Sequence, residues 1–318
     1  MPAPTKRLIL TGATGFVGKA CLTHFQNLGY KVVALGRKAP LQCEDFIEKQ
    51  INAEEEYKGV FCQGDVVIHC AARAHVMRDD AEEPLALYRQ VNTAGTLNLA
   101  KQAEKAGVKR FIFLSSIKVN GESTQPGRPF CASDNRGPSD PYAISKAEAE
   151  TGLLELAEHS QMEVVIIRPP LVYGPGVKAN FASMIKLAKA NLPLPLASVN
   201  NKRSMVSLPN LVSLIETCIN HPNAANKVFL VSDNHDVSTS ELLSTLTRLN
   251  GKKPRLWLFP VGLLKFAAGL VGKSAVTDRL CSNLQVNIAD TINTLNWLPP
   301  VTFEQGLAEC LQGTKHSQ

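Results

Sequence analysis

The stretch Leu8-Ile9-Leu10-Thr11-Gly12-Ala13-Thr14-Gly15-Phe16-Val17-Gly18 limits what this chain can fold into more than any other. An apolar run breaks into three glycines spaced three apart, and an amphipathic segment, residues 16–28, follows at once. A first strand turns into a first helix in this way in a dinucleotide-binding unit. The first glycine allows the tight turn, the second lets backbone approach a pyrophosphate, and the third lets the helix pack close to the strand. The amides and the positive dipole end at the helix start favour a diphosphate. Glycines also mark ordinary turns. Here Gly29 supplies a helix stop and residues 31–35 a second strand, so the context favours cofactor binding. The expected contacts at the turn are Gly12, Thr14, Gly15, Phe16, Val17 and Gly18.

The same rhythm continues. A short third strand is predicted within 46–51, a buried fourth over 65–72 ending in Ala71 and Ala72, and a long helix from Pro84 to about 106 carrying Asn92. A fifth strand, 110–116, ends in Ser115-Ser116, and a sixth covers 164–168. Small side chains after the fourth strand let a cofactor lie against backbone, so Ala71 and Ala72 join the expected contacts. Alternating strands and helices predict an α/β fold, a Rossmann-type doubly wound parallel sheet. From Pro169 the prolines cluster and the elements shorten, which predicts a smaller mixed α/β substrate-binding lobe on the C-terminal side. The expected division is a dinucleotide-binding domain over 1–172 with a return at 204–234, and a lobe made of 173–203 and 235–318. Segments 206–219 and 227–231 both look able to rejoin the sheet.

After the second strand comes Gly36-Arg37-Lys38, where an NAD-preferring fold usually carries an acid for the ribose 2′-hydroxyl. Arg37 therefore tilts the cofactor, NAD(P), slightly toward NADP(H) through its 2′-phosphate; a solvated loop charge, or stacking on adenine, is the other reading. His69 reads as a satisfied core or loop-support histidine. Arg73, His75 and Arg78 follow it at a ligand-facing edge, where substrate contact and a solvated loop are equally open.

Charge and cysteine usage narrow the class. A net charge of +6 without a Lys/Arg tract interleaved with aromatics gives nucleic-acid binding little support. The eight cysteines are scattered with no Cys-x-x-Cys, which suggests neither a disulfide framework nor a metal site. Residues 1–7 lead straight into a strand, so no signal peptide and a cytoplasmic setting are expected. The apolar stretch 256–271 is too short and too broken, by Pro260 and Lys265, to span a bilayer. A buried or half-buried helix is its first reading, and weak peripheral membrane contact its second.

Tyr142 and Lys146 stand four apart at a helix start and share one face. A phenol with a pKa near ~10 is a poor base at neutral pH. A neighbouring ammonium and a cationic nicotinamide would pull that value down, and the lysine can also hold ribose hydroxyls. Ser116, at the ligand-binding edge, would hydrogen-bond the reacting oxygen while hydride passes to the cofactor.

With these residues in view, the chain resembles the extended short-chain dehydrogenase/reductase superfamily, in its nucleotide-sugar epimerase/dehydratase branch. The resemblance runs through Gly12/Gly15/Gly18, His69-Cys70-Ala71-Ala72, Asn92, Gly95-Thr96, Ser115-Ser116 and Tyr142/Lys146. It continues through Arg168-Pro169-Pro170-Leu171-Val172-Tyr173-Gly174-Pro175 to Trp297-Leu298-Pro299. It implies Ser116, Tyr142 and Lys146 as catalytic residues and Asn92 as a cofactor contact. It places Asn180, Arg203 and Arg279 at a substrate diphosphate, with surface charge as the other reading of the two arginines. Ser115, Lys118 and His75 complete the expected substrate contacts. A homodimer, built through two helices per subunit including the Tyr142 helix, is also implied.

Family dehydratases carry Asp-Glu directly after the catalytic hydroxyl residue; here Ser116 is followed by Ile117-Lys118, which disfavours that reaction. The expected function is thus an NAD(P)-dependent UDP-sugar 4-epimerase acting on a UDP-hexose or UDP-N-acetylhexosamine in surface polysaccharide biosynthesis. The alternatives are an NADPH-dependent 4-keto reductase, an epimerase of a polyprenyl-diphosphate-linked sugar, and a non-catalytic dinucleotide-binding protein.

Overall fold

Strands that are apolar on both sides must be covered on both faces. The computed structural model, which describes residues 6–74, 83–270, 272 and 274–313, meets that demand. Its first half runs β1 (Arg7–Thr11), α1 (Phe16–Asn27), β2 (Lys31–Gly36), β3 (Asp45–Glu48), β4 (Val66–His69), α2 (Pro84–Tyr88), α3 (Thr96–Lys105), β5 (Arg110–Leu114), α4 (Pro141–Glu158) and β6 (Glu163–Arg168). The second half runs β7 (Leu171–Tyr173), α5 (Ala179–Ala190), β8 (Arg203–Ser207), α6 (Leu208–Asn220), β9 (Lys227–Leu230), β10 (Asp236–Val237), α7 (Thr239–Leu249), α8 (Val261–Leu270), α9 (Ser274–Cys281), α10 (Ala289–Leu295) and α11 (Phe303–Gly313).

Seven strands make one parallel sheet in the order β3-β2-β1-β4-β5-β6-β9. Along each strand the residues split between its faces. Leu8, Leu10, Ile68, Ile112, Val165 and Ile167 pack with Cys21, Leu22 and Phe25 of α1 and with α6. Ile9, Val67, Phe111, Phe113, Val164 and Ile166 pack with Leu99 and Ala103 of α3 and with Ala149 and Leu153 of α4. The strand order reverses between β1 and β4, so a crevice for ligands opens beyond their carboxyl ends.

Local expectations change at several points, the fourth strand ending at His69 and the fifth at Leu114, short of Ala72 and Ser116. The third strand is shorter, ending at Glu48. The helix expected over 84–106 is broken by a π-helical stretch, Arg89–Gly95, in which Asn92 turns inward to polar partners. Of the two segments expected to rejoin the sheet, only β9 does. Ser207 accepts a hydrogen bond from the Asn210 amide and Pro209 follows, so residues from Leu208 onward form a helix that covers the sheet instead. β8 belongs to a small sheet, β10-β8-β7, beneath a second core of Tyr173, Phe181, Ile185, Leu242, Leu246 and Phe303. Asp233 joins the two parts. It accepts from the Ser207 amide at 2.8 Å, from Asn210 Nδ2 at 2.7 Å and from the Tyr173 hydroxyl at 2.6 Å.

His69 ends β4 fully buried, between Thr11 Oγ1 at 2.7 Å and Thr96 Oγ1 at 2.9 Å, and stacks on Phe113. Burial, reinforced by Lys146, pulls its pKa down to about 3. The folded protein keeps His69 neutral, while the unfolded chain takes up a proton below ~6.5. The stabilisation is therefore present above that value and is lost as pH falls toward 3. Thermal unfolding followed from neutral pH to pH 4 should show an acid slope of up to about 1.4 kcal/mol per pH unit from this one group. The His69→Gln variant should show a shallower slope.

Candidate active site

Gly12 closes the turn after β1 with φ +70, and a Cβ there would lie 2.6 Å from the Ala71 amide nitrogen. A Cβ on Gly18 would collide with the Gly12 carbonyl, so glycine lets α1 seat against the strand end. The Gly15 amide donates to the Gly12 carbonyl at 2.8 Å. Gly15 is the residue that caps α1, and no side chain caps the helix; no acid stands in its first turn. The remaining amides of that turn are left for an external anion, with Thr14 and Gly15 exposed and Phe16 and Val17 half-buried beside them. These features fit the diphosphate of a dinucleotide.

The neighbouring strand end is braced from below. The Ala71 amide donates to Thr11 Oγ1 at 3.1 Å, so Thr11 links the glycine turn, Ala71 and His69. Asn92 accepts from the Arg73 amide at 2.8 Å, donates to the Arg73 carbonyl at 3.1 Å, and donates to Ser145 Oγ at 3.0 Å. Its carboxamide thus ties the segment after β4 to α4. Arg37 lies exposed just past β2, on the same carboxyl edge.

Asp140 starts α4 by accepting from the Ala143 amide at 2.7 Å, and Pro141 follows as the first helical residue. That fixes Tyr142 and Lys146 one turn apart. Tyr142 lies beside Ser116 and meets Tyr88 edge-on, ring centroids 6.2 Å apart. Lys146 is buried, donates to the Leu114 carbonyl at 2.8 Å, and holds Nζ 4.2 Å from the centre of the Phe113 ring. Burial pushes the Tyr142 phenol up to about 12, aided by the Asp140 charge and by Tyr88, while Ser116 opposes the rise. Burial pulls Lys146 down to about 8, against the charges of Cys70 and Glu150. The expected lowering of Tyr142 by Lys146 is therefore not found in the protein alone. The ammonium is turned to a carbonyl and a ring, and the charge that acts on the phenol is the Asp140 carboxylate.

Other expected contacts are more scattered. The Lys118 ammonium pairs with Asp140 and, at 3.3 Å, with Glu122; burial lowers its pKa, but these carboxylates outweigh burial and hold it above its usual value. Ser115 is buried and donates to Glu150 Oε1. Asn180 is exposed at the start of α5, whose first turn also lacks a capping side chain. Arg203 opens β8 and donates to Ser282 Oγ at 3.2 Å. Burial lowers its pKa. His75 and the side chain of Arg279 lie outside the described residues.

Sequence reasoning missed Glu150, which follows Tyr142 and Lys146 at the same four-residue interval. It is fully buried and receives a forked pair from Arg168: Nε to Oε1 at 2.9 Å and Nη2 to Oε2 at 2.6 Å. Arg168 Nη1 also donates to Asn120 Oδ1 at 2.9 Å. One carboxylate thereby joins α4, the end of β6 and the segment that carries Ser115 and Ser116. The spacing Tyr142/Lys146/Glu150 was the available signal.

Residues 8–232 match the model of the NAD dependent epimerase/dehydratase family. A Vibrio cholerae protein named UDP-glucose 4-epimerase is 51% identical over 311 residues, covering 96% of this chain and 95% of the relative. An Escherichia coli O157:H7 protein named N-acetyl-alpha-D-glucosaminyl-diphospho-ditrans,octacis-undecaprenol 4-epimerase is 27% identical, covering 96% of this chain and 94% of its own. Among solved structures, MoeE5 in complex with UDP-glucose and NAD superposes with a TM-score of 0.75 at 20% identity, over 98% of this chain and 99% of the other.

Removing one member of a buried ion pair strands the other, at a cost of about 3–5 kcal/mol, whereas replacing both with apolar groups can be nearly neutral. Glu150→Gln should therefore lower stability markedly in urea unfolding, and the double variant Glu150→Leu/Arg168→Met should recover most of the loss. A single variant that unfolds with the parent would show that the pair does not hold the helix to the sheet.

Proposed function

The chain belongs to the NAD dependent epimerase/dehydratase family, and from that membership we propose that it is a UDP-sugar 4-epimerase that inverts C4 of a UDP-hexose or UDP-N-acetylhexosamine. The observation that carries the reading is the placement of Tyr142 beside Ser116 at the sheet's carboxyl edge, next to a helix end open to a diphosphate. The 51% relative favours a UDP-linked sugar, and a polyprenyl-diphosphate-linked sugar is the second substrate to assay. Such products feed surface polysaccharide synthesis.

When bound, NAD would supply the acceptor for the C4 hydride and a positive charge that favours the phenolate. Tyr142 takes the proton of the C4 hydroxyl and later returns it, and Ser116 holds the same oxygen in line. Lys146, which burial draws down to about 8, would keep its bond to the Leu114 carbonyl and offer its remaining Nζ donors to ribose hydroxyls. The seven-stranded sheet and the helices on its faces hold the dinucleotide. The lobe of 173–203 and 235–318 holds the sugar nucleotide, with Asn180, Arg203 and Arg279 toward its diphosphate and Ser115, Lys118 and His75 toward the sugar. The protein works as a homodimer built through α4.

Arg37 supports a second reading. An exposed cation stands where an NAD-selective site has an acid, which suits NADP(H) and a 4-keto reductase.

Protein purified without added nucleotide, then denatured, should release NAD, and the native protein should interconvert UDP-glucose and UDP-galactose or their N-acetyl forms. Tyr142→Phe should lower kcat by about 10²–10⁴ with its circular dichroism unchanged. An empty site that prefers NADPH, without epimerisation, overturns the epimerase in favour of the reductase. Full turnover by Tyr142→Phe overturns the catalytic assignment.

A further inference from the structure

Helix α8 is apolar almost all round, Val-Gly-Leu-Leu-Lys-Phe-Ala-Ala-Gly-Leu, and yet only one side of it is packed. Val261 and Leu264 rest against Leu196, Val199 and Leu243 of the small lobe. Leu263, Phe266 and Leu270, spaced three and four apart, point away from it and are 55%, 66% and 74% exposed. A surface helix of a water-soluble protein normally carries polar residues there. The strand-like segment before it, held to 194–197 by hydrogen bonds from Trp257 to Leu194 and from Ala197 to Trp257, adds Trp257 at 48% and Leu258 at 77%. Leu192 lies exposed nearby, where Asn191 Nδ2 reaches the Lys253 carbonyl at 3.2 Å.

Charge decides what covers this face. Lys252, Lys253 and Arg255 are exposed immediately before the apolar segment, and no Asp or Glu occurs from Leu249 to Thr277. The only charged residue within α8, Lys265, meets Asp278 at 3.2 Å on the neighbouring helix. A second copy joined face to face about a two-fold axis would bring two basic clusters together. Among the described residues no helix is long and apolar enough to cross a membrane. Apolar and aromatic side chains rimmed by cations match an anionic bilayer surface, with the rings among the acyl chains and the cations at phosphate level.

We propose that residues 252–270 dock this protein onto anionic phospholipid bilayers, α8 lying in the plane of the interface. The docking is independent of the reaction catalysed.

The test is sedimentation of the full chain with vesicles of phosphatidylcholine alone or mixed with phosphatidylglycerol, together with tryptophan emission. Binding to the mixed vesicles, weakened by salt, is expected, with a blue shift from Trp257; Trp297 is buried and supplies a constant background. Leu263→Glu/Phe266→Glu should abolish binding, and Lys252→Glu/Lys253→Glu should weaken it about tenfold or more. Thermal unfolding confirms that each variant is folded. Failure to bind either vesicle overturns the proposal, as does binding that both variants retain. It also falls if size exclusion shows Leu263→Glu/Phe266→Glu splitting a larger species while the parent ignores lipid, which would give the face to a second copy.

Discussion

The ion pair between Glu150 and Arg168 is the contact on which the geometry of the candidate site depends. Two charges removed from water are tolerated only where every lone pair and N–H is used. Here Ser115, Asn120 and both carboxylate oxygens complete the set. Because Glu150 occupies the same helix face as Tyr142 and Lys146, locking it to β6 sets the rotation of the whole helix. The backbone of Ser115 is fixed as well, its amide donating to the Ile167 carbonyl at 2.8 Å. The hydroxyl of Ser116 and the phenol of Tyr142 thus meet through two rigid elements joined at one buried point.

The electrostatics around that point run against charge. Tyr142 is held protonated, Lys146 is drawn toward neutrality and His69 is kept from protonation, with burial the leading cause in all three. In the protein alone the crevice favours uncharged forms. A ligand bringing its own charges meets groups whose protonation it can alter, because little solvent screens them. Asp140 matters here beyond its place at the start of α4, since its carboxylate opposes the phenolate while Lys118 partly neutralises it.

Local signals made much of this legible in the sequence. The glycine turn, the alternation of apolar strands with helices, and the Tyr-x-x-x-Lys spacing each depend on residues close together in the chain, and the parallel sheet follows from them. What escaped depends on partners far apart. Glu150 and Arg168 are separated by 18 residues, Asn92 and Ser145 by 53, and nothing in either neighbourhood announces the other. The π-helical stretch at Arg89–Gly95 has the composition of an ordinary helix and is set by what Asn92 reaches. In the protein without a cofactor the Tyr142 shift runs upward, because spacing shows that two side chains share a face but not where the ammonium points. Segment 206–219 carries enough apolar residues for a buried strand; the Ser207 cap and Pro209 decide for a helix.

The last strand of the main sheet, β9, pairs with β6 only after the chain has left, built two strands of the small sheet and returned. The polypeptide then leaves again through Asp233, which binds Tyr173 and Ser207 on the way. The small lobe is therefore laced through the edge of the large one and is not strung after it. Closing such a long loop costs entropy that is recovered only when both sides are in place. The two sheets share no strand pairing, and what ties them is the repeated crossing of the chain together with the bonds that Asp233 makes to Tyr173, Ser207 and Asn210.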